Sequence, residues 1–382
     1  MKIWVIGRGY PTPENKMWGV FELEQAKLLA RAGHNVTYLA LTLSFFSRKD
    51  PRGMRVFEVD GVKVYACSRL YFPGKLGLAW ESYEDKCWRD IFERALEDGG
   101  IPEALHVHYP AMIGNICEVD KLRKQGVRLF STEHWSRVML STLSKYEMKR
   151  LSYYTAYTDG FFCVSESLLN AARDLVEIKA PTTVIPNIVS DIFFEKKNCS
   201  SDDVFTFVGV GRLVPLKQFD MVIAAFEREF LPEEKVALTI VGSGPERANL
   251  EGLAKNDARI SFMGALPLDH VADVVAASDA LVSFSRYETF AVPVTEALAC
   301  GKPVIVSESS GVSSYIDDLL GLTVPCDNAE MLARAMRDLY ANRSRYRAEG
   351  ISIFAREHFG DEVILHQLEA AYGCASVEGV TH

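Results

Sequence analysis

The stretch "ALVSFSRYETFAVPVTEALACGKPVIVS", residues 280–307, predicts one strand–helix–strand unit. The runs "LVSFS" and "PVIVS" are short and largely apolar, which favours buried strands. Pro293 suits the first turn of the helix between them, and Gly301 suits its end. Because such a unit sets its strands parallel, the loop "RYETFAV" is expected at the carboxyl end of a strand.

The same alternation of strand-like runs and helical patterns occurs twice along the 382 residues. It begins with "KIWVIG" (2–7) and "GVFELEQAKLLARAGH" (19–34), and it starts again at "VFTFVGVGRL" (204–213). The polar stretch 190–203 between the two halves is the candidate linker. Continuous apolar strands alternating with helices predict parallel sheets covered on both faces. We therefore predict an α/β protein with two doubly wound, Rossmann-like domains facing across a ligand-binding cleft.

Composition limits the classes of function. Hydrophobic residues make up 48% of the chain, enough for a full core. The net charge of −9 argues against nucleic-acid binding, so local groups must hold any polyanionic ligand. The eight cysteines form no CxxC pair and are expected to be thiols in a reducing cytosol. No signal peptide or membrane span is indicated, so we expect a cytoplasmic protein.

Three glycine turns of the form GxG follow predicted strands, and none completes GxGxxG. They are Gly7 and Gly9, Gly209 and Gly211, and Gly242 and Gly244. A single GxG is usually just a tight strand-to-helix turn. Three such turns on one cleft would let backbone N–H groups approach an anion closely.

Two cations in "GRLVPLK" (211–217) follow a strand and precede a predicted helix. Arg212 and Lys217 would mildly oppose the helix dipole there unless an anion lies between them. This conflict favours a bound diphosphate, although exposed cations at such a place are often only solvated. No acidic pair at a strand end is suited to hold a metal, so we expect no metal site.

Two carboxylates flank the predicted start of the helix after "RYETFAV". Glu288 lies in the loop, and Glu296 is expected in the first helical turn, near free backbone N–H groups from Phe290 to Val294. Together they suit a ligand with many hydroxyls and one anionic part. Two alternatives stay open: Glu296 only complements the dipole, or the pair serves a glycosidase, which we rank low.

Three histidines lie at predicted strand ends in the first half. His106 and His108 share one face of a strand, but no third ligand with convincing metal spacing accompanies them. His134 in "STEHWS" follows the run "VRLF" and is expected at the cleft. A lone histidine there is more often a hydrogen-bonding group than a catalyst.

The chain resembles the retaining glycosyltransferases of family four (glycosyl transferases group 1), which have the GT-B fold. The resemblance runs from residue 1 to about residue 372. It is strongest in "VGVGRLVPLK", "LTIVGSGPER" and the two glutamates Glu288 and Glu296 with seven residues between them, followed by "ALACGKPVIVS". The motifs "HVHYP", "FFCVSES" and "VIPN" of the first half also match.

The resemblance implies a domain plan. Residues 1–189 would be the acceptor-side domain and 190–203 the linker. Residues 204–355 would be the nucleotide-sugar donor domain, and 356–382 a helix crossing back to the first domain.

The resemblance implies roles on the donor side. Arg212 and Lys217 would hold the donor diphosphate, with Gly242 also contacting the donor. Glu296 would accept hydrogen bonds from the ribose hydroxyls. Glu288 would hold the transferring sugar and contribute to catalysis.

Further roles are implied for backbone groups and for the first domain. The N–H groups near Phe290, Ala291 and Val292 would hold the sugar. Gly19 would approach the phosphates, and His134 would act near the anomeric carbon. Ala291 stands where the family usually has glycine, which leaves the donor sugar open.

The implied activity is a retaining, metal-independent hexosyltransferase without a cofactor, since the nucleotide-sugar is a substrate. A UDP-sugar is favoured as donor, with GDP-mannose as the other candidate, in polysaccharide biosynthesis. A nucleotide-sugar epimerase on the same fold stays open as an alternative. An NAD-dependent oxidoreductase is less favoured, because "NVTYLALTLS" (35–44) lacks the acidic residue that binds ribose.

The acceptor is expected to be a glycan, a lipid-linked molecule or a small molecule. Two stretches, residues 44–55 and 69–80, combine aromatic and basic residues and are expected to be surface loops or short helices. The first contains Phe45, Phe46, Arg48, Lys49, Arg52 and Arg55. Such a patch suits an anionic membrane surface, at about 1 kcal/mol per basic residue, so we expect possible peripheral docking. A solvated loop with inward phenylalanines is the competing interpretation.

Overall fold

The computed structural model describes residues 1–12, 18–44, 52–70, 77–113, 116–196 and 203–374, with no side chains for 77–82. The chain forms two compact units. The first consists of Met1–Ile188 and the chain from Ile364 onward, and the second consists of Val189–Val363. The described part of the predicted linker 190–203, residues 190–196 and 203, therefore belongs to the second unit.

The first unit is built on one eight-stranded sheet among its described residues. The strands are β1 (Lys2–Gly7), β2 (Asn35–Ser44), β3 (Gly53–Val59), β4 (Val62–Leu70), β5 (Ala104–His108), β6 (Arg128–Glu133), β7 (Gly160–Cys163) and β8 (Thr182–Val184). Their order is β3-β4-β2-β1-β5-β6-β7-β8, and every pair is parallel except β3 with β4. The strand order reverses between β1 and β5, so ligands are expected beyond the carboxyl ends of these strands.

The first unit also contains several helices. They are α1 (Val20–Arg31), α2 (Gly77–Gly99), α3 (Ile116–Lys124), α4 (Ser136–Met139), α5 (Lys145–Tyr157) and α6 (Glu166–Leu175). Serine caps start two of them: Ser144 forms a capping box with Glu147 at α5, and the Ser165 hydroxyl accepts from Leu168 N–H at α6. The buried sides of α2 and α3 pack with β1, β5 and β6 in a core that includes Trp4, Trp88 and Phe92.

The end of the chain returns to the first unit through α14 (Asp361–Ala371). Tyr372, which directly follows α14, is fully buried. Its ring packs on Phe130, its hydroxyl contacts His106 Nδ1, and its carbonyl accepts a hydrogen bond from Arg128. These contacts join residues far apart in sequence to the central strands β5 and β6.

The second unit is built on a six-stranded parallel sheet. Its strands are β9 (Phe205–Val210), β10 (Val236–Val241), β11 (Ile260–Gly264), β12 (Ala280–Ser283), β13 (Val304–Ser307) and β14 (Gly321–Val324). Their order is β11-β10-β9-β12-β13-β14, the doubly wound arrangement, with its reversal between β9 and β12. The prediction of doubly wound sheets is therefore confirmed for both units.

The helices of the second unit lie before, between and after these strands in the chain. They are α7 (Asp191–Phe194), α8 (Phe219–Glu229), α9 (Arg247–Leu253), α10 (Leu268–Ala277), α11 (Val292–Ala299), α12 (Ala329–Ala341) and α13 (Ala348–Phe359), with 3₁₀ turns at Pro215–Lys217, Ser313–Tyr315 and Arg343–Arg345. The core between sheet and helices is rich in aromatic residues, including Phe207, Phe226 and Phe230.

The expectation for the aromatic and basic stretches needs correction. Residues 69–70 end strand β4 and residues 77–80 begin the long helix α2, so these parts are neither loops nor short helices. Arg55 lies in β3, with its guanidinium 5.7 Å from the Phe57 ring centroid. Phe45, Phe46, Arg48 and Lys49 lie outside the described residues, as do 71–76. Among the described helices, none combines the length and apolar composition that crossing a membrane requires.

Candidate functional site

Most of the predicted site residues lie in the second unit, in loops at the carboxyl ends of its strands. Arg212 follows β9, Gly242 follows β10, and Glu288 follows β12. Since the strand order reverses between β9 and β12, these loops lie where doubly wound sheets bind ligands. Gly19 and His134 belong to the first unit.

Glycines allow the loops after β9 and β10 to touch. Gly242 has φ +142°, and a Cβ on it would lie 1.8 Å from the Gly211 carbonyl oxygen. The Gly211 N–H donates to the Val241 carbonyl, and the Gly242 N–H donates to the Gly264 carbonyl. The close contact with the Gly211 backbone therefore explains why position 242 requires glycine. The Gly242 N–H already has a carbonyl acceptor.

The two predicted cations differ in their surroundings. Arg212 is exposed and forms no ion pair with any described residue. Lys217 ends the 3₁₀ turn Pro215–Lys217, and its ammonium forms an ion pair with Glu288 Oε1. The Ser285 hydroxyl donates to the same oxygen at 3.2 Å. The structure thus brings Lys217 and Glu288 together, although 71 positions separate them in the sequence.

The loop that carries Glu288 is fixed by the loop after β13. The Glu288 N–H donates to the Ser309 carbonyl, and the Glu288 carbonyl accepts from the Gly311 N–H. Glu288 and Ser310 form an isolated parallel bridge. These backbone hydrogen bonds hold the loop in the conformation in which the Glu288 carboxylate contacts Lys217.

Helix α11 begins with an unusual backbone conformation. Ala291, its N-cap residue, has φ 74° and ψ 65°, the left-handed region in which alanine is strained. Pro293 lies in the first turn, as predicted. The Val294 N–H donates to the Ala291 carbonyl, so the expectation that it is free for a ligand is wrong. Phe290 is buried, with its ring 5.8 Å from that of Phe359.

Glu296 lies in the second turn of α11, not in the first turn as predicted, so it does not complement the start of the helix dipole. Its side chain is only partly exposed, and desolvation raises its pKa to about 7. No cation among the described residues offsets this rise. A partly buried carboxylate of this kind gains most from a ligand that donates hydrogen bonds to it.

In the first unit, Gly19 provides a second close backbone approach. It has φ +77° and is the N-cap residue of α1. A Cβ on Gly19 would lie 2.1 Å from the Gly9 carbonyl oxygen. The buried Tyr38 hydroxyl donates to the Gly9 carbonyl at 2.8 Å and lies 3.3 Å from the Gly19 carbonyl. Only glycine fits here, which agrees with the sequence motif at this position.

His134 directly follows β6 and is held by its neighbour in the sequence. Glu133 is buried, and its Oε1 accepts the N–H groups of His134 and Trp135, each at 2.8 Å, while its Oε2 accepts the Ala111 N–H at 3.3 Å. Burial raises the pKa of Glu133 to about 7 despite these bonds. The His134 ring stacks on Tyr109, with centroids 4.8 Å apart.

Sequence reasoning missed both Glu133 and Tyr109. Tyr109 has φ 55°, a strained backbone conformation at the end of β5. The signal for Glu133 was its place in "STEHWS", at the last residue of a buried strand where a carboxylate is costly unless bonded. His106 and His108 are also buried in β5. Among the described residues, no cluster of three potential ligands is arranged to hold a metal ion.

Comparison with known proteins identifies the family. The model of "Glycosyltransferase Family 4" matches residues 19–191, and that of "Glycosyl transferases group 1" matches residues 191–353. The chain is 25% identical over 375 residues to N-acetyl-alpha-D-glucosaminyl L-malate synthase of Bacillus anthracis, covering 93% of each chain. It is 26% identical to a phosphatidylinositol N-acetylglucosaminyltransferase component of Arabidopsis thaliana over 53% of this chain and 47% of that protein.

The fold also matches solved structures. Sucrose-phosphate synthase from Thermosynechococcus elongatus has a TM-score of 0.76 at 21% identity, covering 97% of this chain and 98% of that chain. This likeness supports the GT-B fold that the two doubly wound units indicate. Since the two family models together match residues 19–353, the chain belongs to the group 1 glycosyltransferases of family 4 and is a glycosyltransferase.

Proposed function

We propose that this enzyme transfers a hexosyl group from a nucleotide-sugar with retention of anomeric configuration and without a metal ion. The observation that carries the proposal is the ion pair between Lys217 and Glu288, at the switch point of the second unit and near the exposed Arg212 in sequence. A cation for the diphosphate and a carboxylate for the sugar are thereby fixed side by side. The alternatives of an epimerase or an oxidoreductase are not favoured by the family.

The proposed donor contacts follow from charge. Breaking a sugar–phosphate bond leaves negative charge on the departing phosphate, which preorganised cations stabilise. We assign this role to Arg212 and Lys217. We assign the ribose hydroxyls to Glu296, whose desolvated carboxylate is an acceptor without a cation among the described residues.

The transferring sugar is assigned to groups of the second unit. Glu288 and the backbone at Phe290, Ala291 and Val292 would hold its hydroxyls. His134 stays a catalytic candidate from the sequence resemblance, and a loss of kcat in His134→Ala would support it. Gly19 and Gly242 would contribute by letting backbone approach closely, as their positive φ angles allow.

The choice of sugar and acceptor is guided by the relatives. Both curated relatives are named for N-acetylglucosamine transfer, so UDP-N-acetylglucosamine is the first donor to test, ahead of GDP-mannose. One name contains L-malate and the other phosphatidylinositol, so both small hydroxy acids and lipid-linked acceptors deserve testing. A glycan acceptor is the third class.

The decisive experiment measures release of nucleoside diphosphate from a panel of nucleotide-sugars, with and without these acceptors. We expect one donor to be consumed much faster than the others and the product to keep the donor's anomeric configuration by NMR. Full activity in EDTA is expected, because Arg212 and Lys217 supply the positive charge. Inversion of configuration would contradict retention, and activity that needs Mg²⁺ or Mn²⁺ would contradict metal independence.

Membrane docking is a separate proposal on the acceptor side. It rests on the basic and aromatic composition of residues 44–55. Co-sedimentation with liposomes should require anionic lipid, weaken with salt, and fall when Arg48, Lys49 and Arg52 are replaced by glutamine. A protein that ignores anionic liposomes at low salt would instead favour a small acceptor.

A further inference from the structure

Three loops of the second unit meet at one side chain, Asp327, which lies after β14. Its Oδ1 accepts hydrogen bonds from Gln218 Nε2 and from Arg286 Nη2, the latter at 2.9 Å. Arg286 Nε also lies 3.2 Å and 3.3 Å from the two carboxylate oxygens. We call these three residues the Asp327 clamp. Gln218 lies between β9 and α8, and Arg286 follows β12, so the clamp joins three loops at the carboxyl ends of strands.

The Asp327 clamp lies directly beside the ion pair between Lys217 and Glu288. Gln218 follows Lys217 in the chain, and Arg286 precedes Glu288 by two positions. The Arg286 N–H also donates to the Leu216 carbonyl at 2.9 Å. The clamp, this backbone hydrogen bond and the ion pair therefore close one ring of contacts between the loops after β9 and β12.

Both ends of the contact between Gln218 and Asp327 have a left-handed backbone. Gln218 has φ 50° and ψ 37°, and Asp327 has φ 59°. Residues other than glycine seldom adopt this region, and such strain persists only where the surrounding contacts hold it. Gln218 is the C-cap residue of the 3₁₀ turn that carries Lys217, and it is also the N-cap residue of α8. Its backbone angles therefore set the direction of that turn relative to the helix.

The side chain of Gln218 is buried in spite of an unsatisfied atom. The residue is 3% exposed, and its Oε1 has no hydrogen-bond partner among the described residues. A buried acceptor without a partner is unfavourable, and a glycine at this position would avoid both this loss and the backbone strain. Since a carboxylate only accepts, the amide nitrogen must face Asp327. The bond to Asp327 is therefore what the amide of Gln218 contributes.

We propose that Asp327, through Gln218 and Arg286, is a positioning residue of the transferase reaction. It keeps the Lys217 ammonium and the Glu288 carboxylate at one fixed separation. This inference rests on the proposed contacts of these two groups with the diphosphate and the sugar, because charges stabilise a departing phosphate best when they are already in place. The ion pair between Arg286 and Asp327 is largely exposed, with 58% and 48% of the side chains accessible, so it adds little to folding stability. Loss of the clamp should therefore lower the rate without unfolding the protein.

Substitutions at position 327 separate the oxygen acceptor from the backbone conformation. Asparagine and glycine both adopt the left-handed region, but only asparagine keeps an Oδ1 for Gln218 and Arg286. We expect Asp327→Asn to keep kcat within about threefold, and Asp327→Gly to lose at least about tenfold with a nearly unchanged unfolding midpoint. Equal losses in these two variants would overturn the proposal. Asp60→Gly is the matched control and should keep kcat, because Asp60 has φ 48° and pairs with Lys27 at 3.1 Å in the first unit.

A double-mutant cycle tests whether Asp327 acts through Lys217. In a Lys217→Ala background the cation that the clamp positions is absent. Adding Asp327→Gly to that background should therefore lower kcat by less than about threefold more. A further loss of about tenfold, as large as in the wild-type background, would show that Asp327 affects the rate by another route and would overturn the proposal.

Hydrogen exchange of the full-length protein tests the clamp without activity. The Arg286 N–H donates to the Leu216 carbonyl, so its exchange reports on the junction of the two loops. We expect exchange in peptides that cover 284–290 to be at least about tenfold faster in Asp327→Gly and in Gln218→Gly, and unchanged in Asp327→Asn. Unchanged exchange in Asp327→Gly would overturn the proposal.

The two kinds of measurement distinguish failure of the clamp from failure of the proposed function. If Lys217→Ala keeps full kcat, the proposed contact of Lys217 with the diphosphate is wrong, and the positioning role falls with it. If Lys217→Ala is impaired while Asp327→Gly changes neither exchange nor kcat, the proposed function stands and only the role of Asp327 is wrong.

Discussion

At the scale of single residues, Glu296 combines partial burial with a raised pKa. A hydrogen bond to a charged carboxylate contributes about 1.5–3 kcal/mol. If Glu296 accepts such bonds from the donor ribose, Glu296→Ala should therefore lower kcat/KM for the nucleotide-sugar by about 10- to 150-fold. The variant should keep the wild-type unfolding midpoint, which separates binding from folding. Wild-type kcat/KM in Glu296→Ala would rule out the ribose role.

The pKa of Glu296 also predicts a pH dependence. With a pKa of about 7 the carboxylate is mostly neutral at pH 6 and mostly ionised at pH 8, and the ionised form is the better acceptor. Donor affinity should therefore be up to about tenfold weaker at pH 6 than at pH 8. An intact nucleotide-sugar is the right ligand, because its diphosphate is esterified at both ends and does not titrate near pH 7. Glu296→Gln should flatten the profile, and an unchanged profile would contradict the assignment.

Lys217 is the proposed phosphate-binding cation that is paired with Glu288. Lys217→Ala removes a preorganised cation and leaves Glu288 without its ion-pair partner, so we expect a loss of about 100- to 1,000-fold in kcat. Lys196→Ala is the matched control, because Lys196 pairs with Asp273 and has no assigned contact with the donor. A loss of similar size in both variants would show that general destabilisation, not the phosphate, explains the effect.

At the scale of elements, α11 has backbone strain at its N-cap residue, Ala291. The left-handed conformation costs alanine roughly 1–2 kcal/mol, while glycine adopts it freely but loses more entropy on folding. We expect Ala291→Gly to increase the opening free energy of α11 by up to about 1 kcal/mol, measured by hydrogen exchange of peptides that cover 285–301. Ala297→Gly, in the regular part of the same helix, should decrease it by about 1 kcal/mol. A decrease in both variants would contradict the strain argument.

The same helix shows how much local sequence patterns predict. Pro293 and Gly301 marked its two ends correctly, and Gly301 indeed has φ +73°. The hairpin of β3 and β4 was missed, because β3 is mostly half-exposed and carries charged residues that weaken the strand pattern. The glutamate at position 133 was missed although two of its bonds are local, to the N–H groups of His134 and Trp135. The third, from the Ala111 N–H 22 positions away, is one that no local pattern reveals.

At the scale of the whole molecule, the two units differ in their content of tryptophan, whose fluorescence reports unfolding. All five tryptophans, at positions 4, 18, 80, 88 and 135, fall within the first unit. Tryptophan fluorescence therefore follows unfolding of the unit that contains His106. The return of the chain end to this part of the molecule was expected from the family resemblance. The contact of Tyr372 with His106, 266 positions away, was not, because no local pattern locates it.

The buried side chain of His106 predicts acid sensitivity of the first unit. Burial lowers the pKa of His106 from its usual 6.5 to about 3, so the folded state binds fewer protons than the unfolded chain between these values. The contribution of neutral His106 to the free energy of unfolding is therefore fully present above pH 6.5, and it is lost as the pH falls from 6.5 towards 3. Glu133 acts in the opposite direction, since its raised pKa costs stability as the pH rises towards 7. A comparison of variants that share Glu133 cancels that opposing contribution.

The test compares the wild type with His106→Gln in urea, followed by tryptophan fluorescence at pH 7.5 and pH 5. Below pH 6.5, His106 should lower the free energy of unfolding of the wild type by about 1.4 kcal/mol per pH unit. The variant lacks this histidine, so its free energy of unfolding should not show this loss. The stability advantage of the wild type should therefore shrink by about 2 kcal/mol between the two pH values. His270→Gln removes an exposed histidine of the second unit and should leave the pH dependence unchanged. An advantage that stays constant from pH 7.5 to pH 5 would mean that His106 is not held neutral by burial.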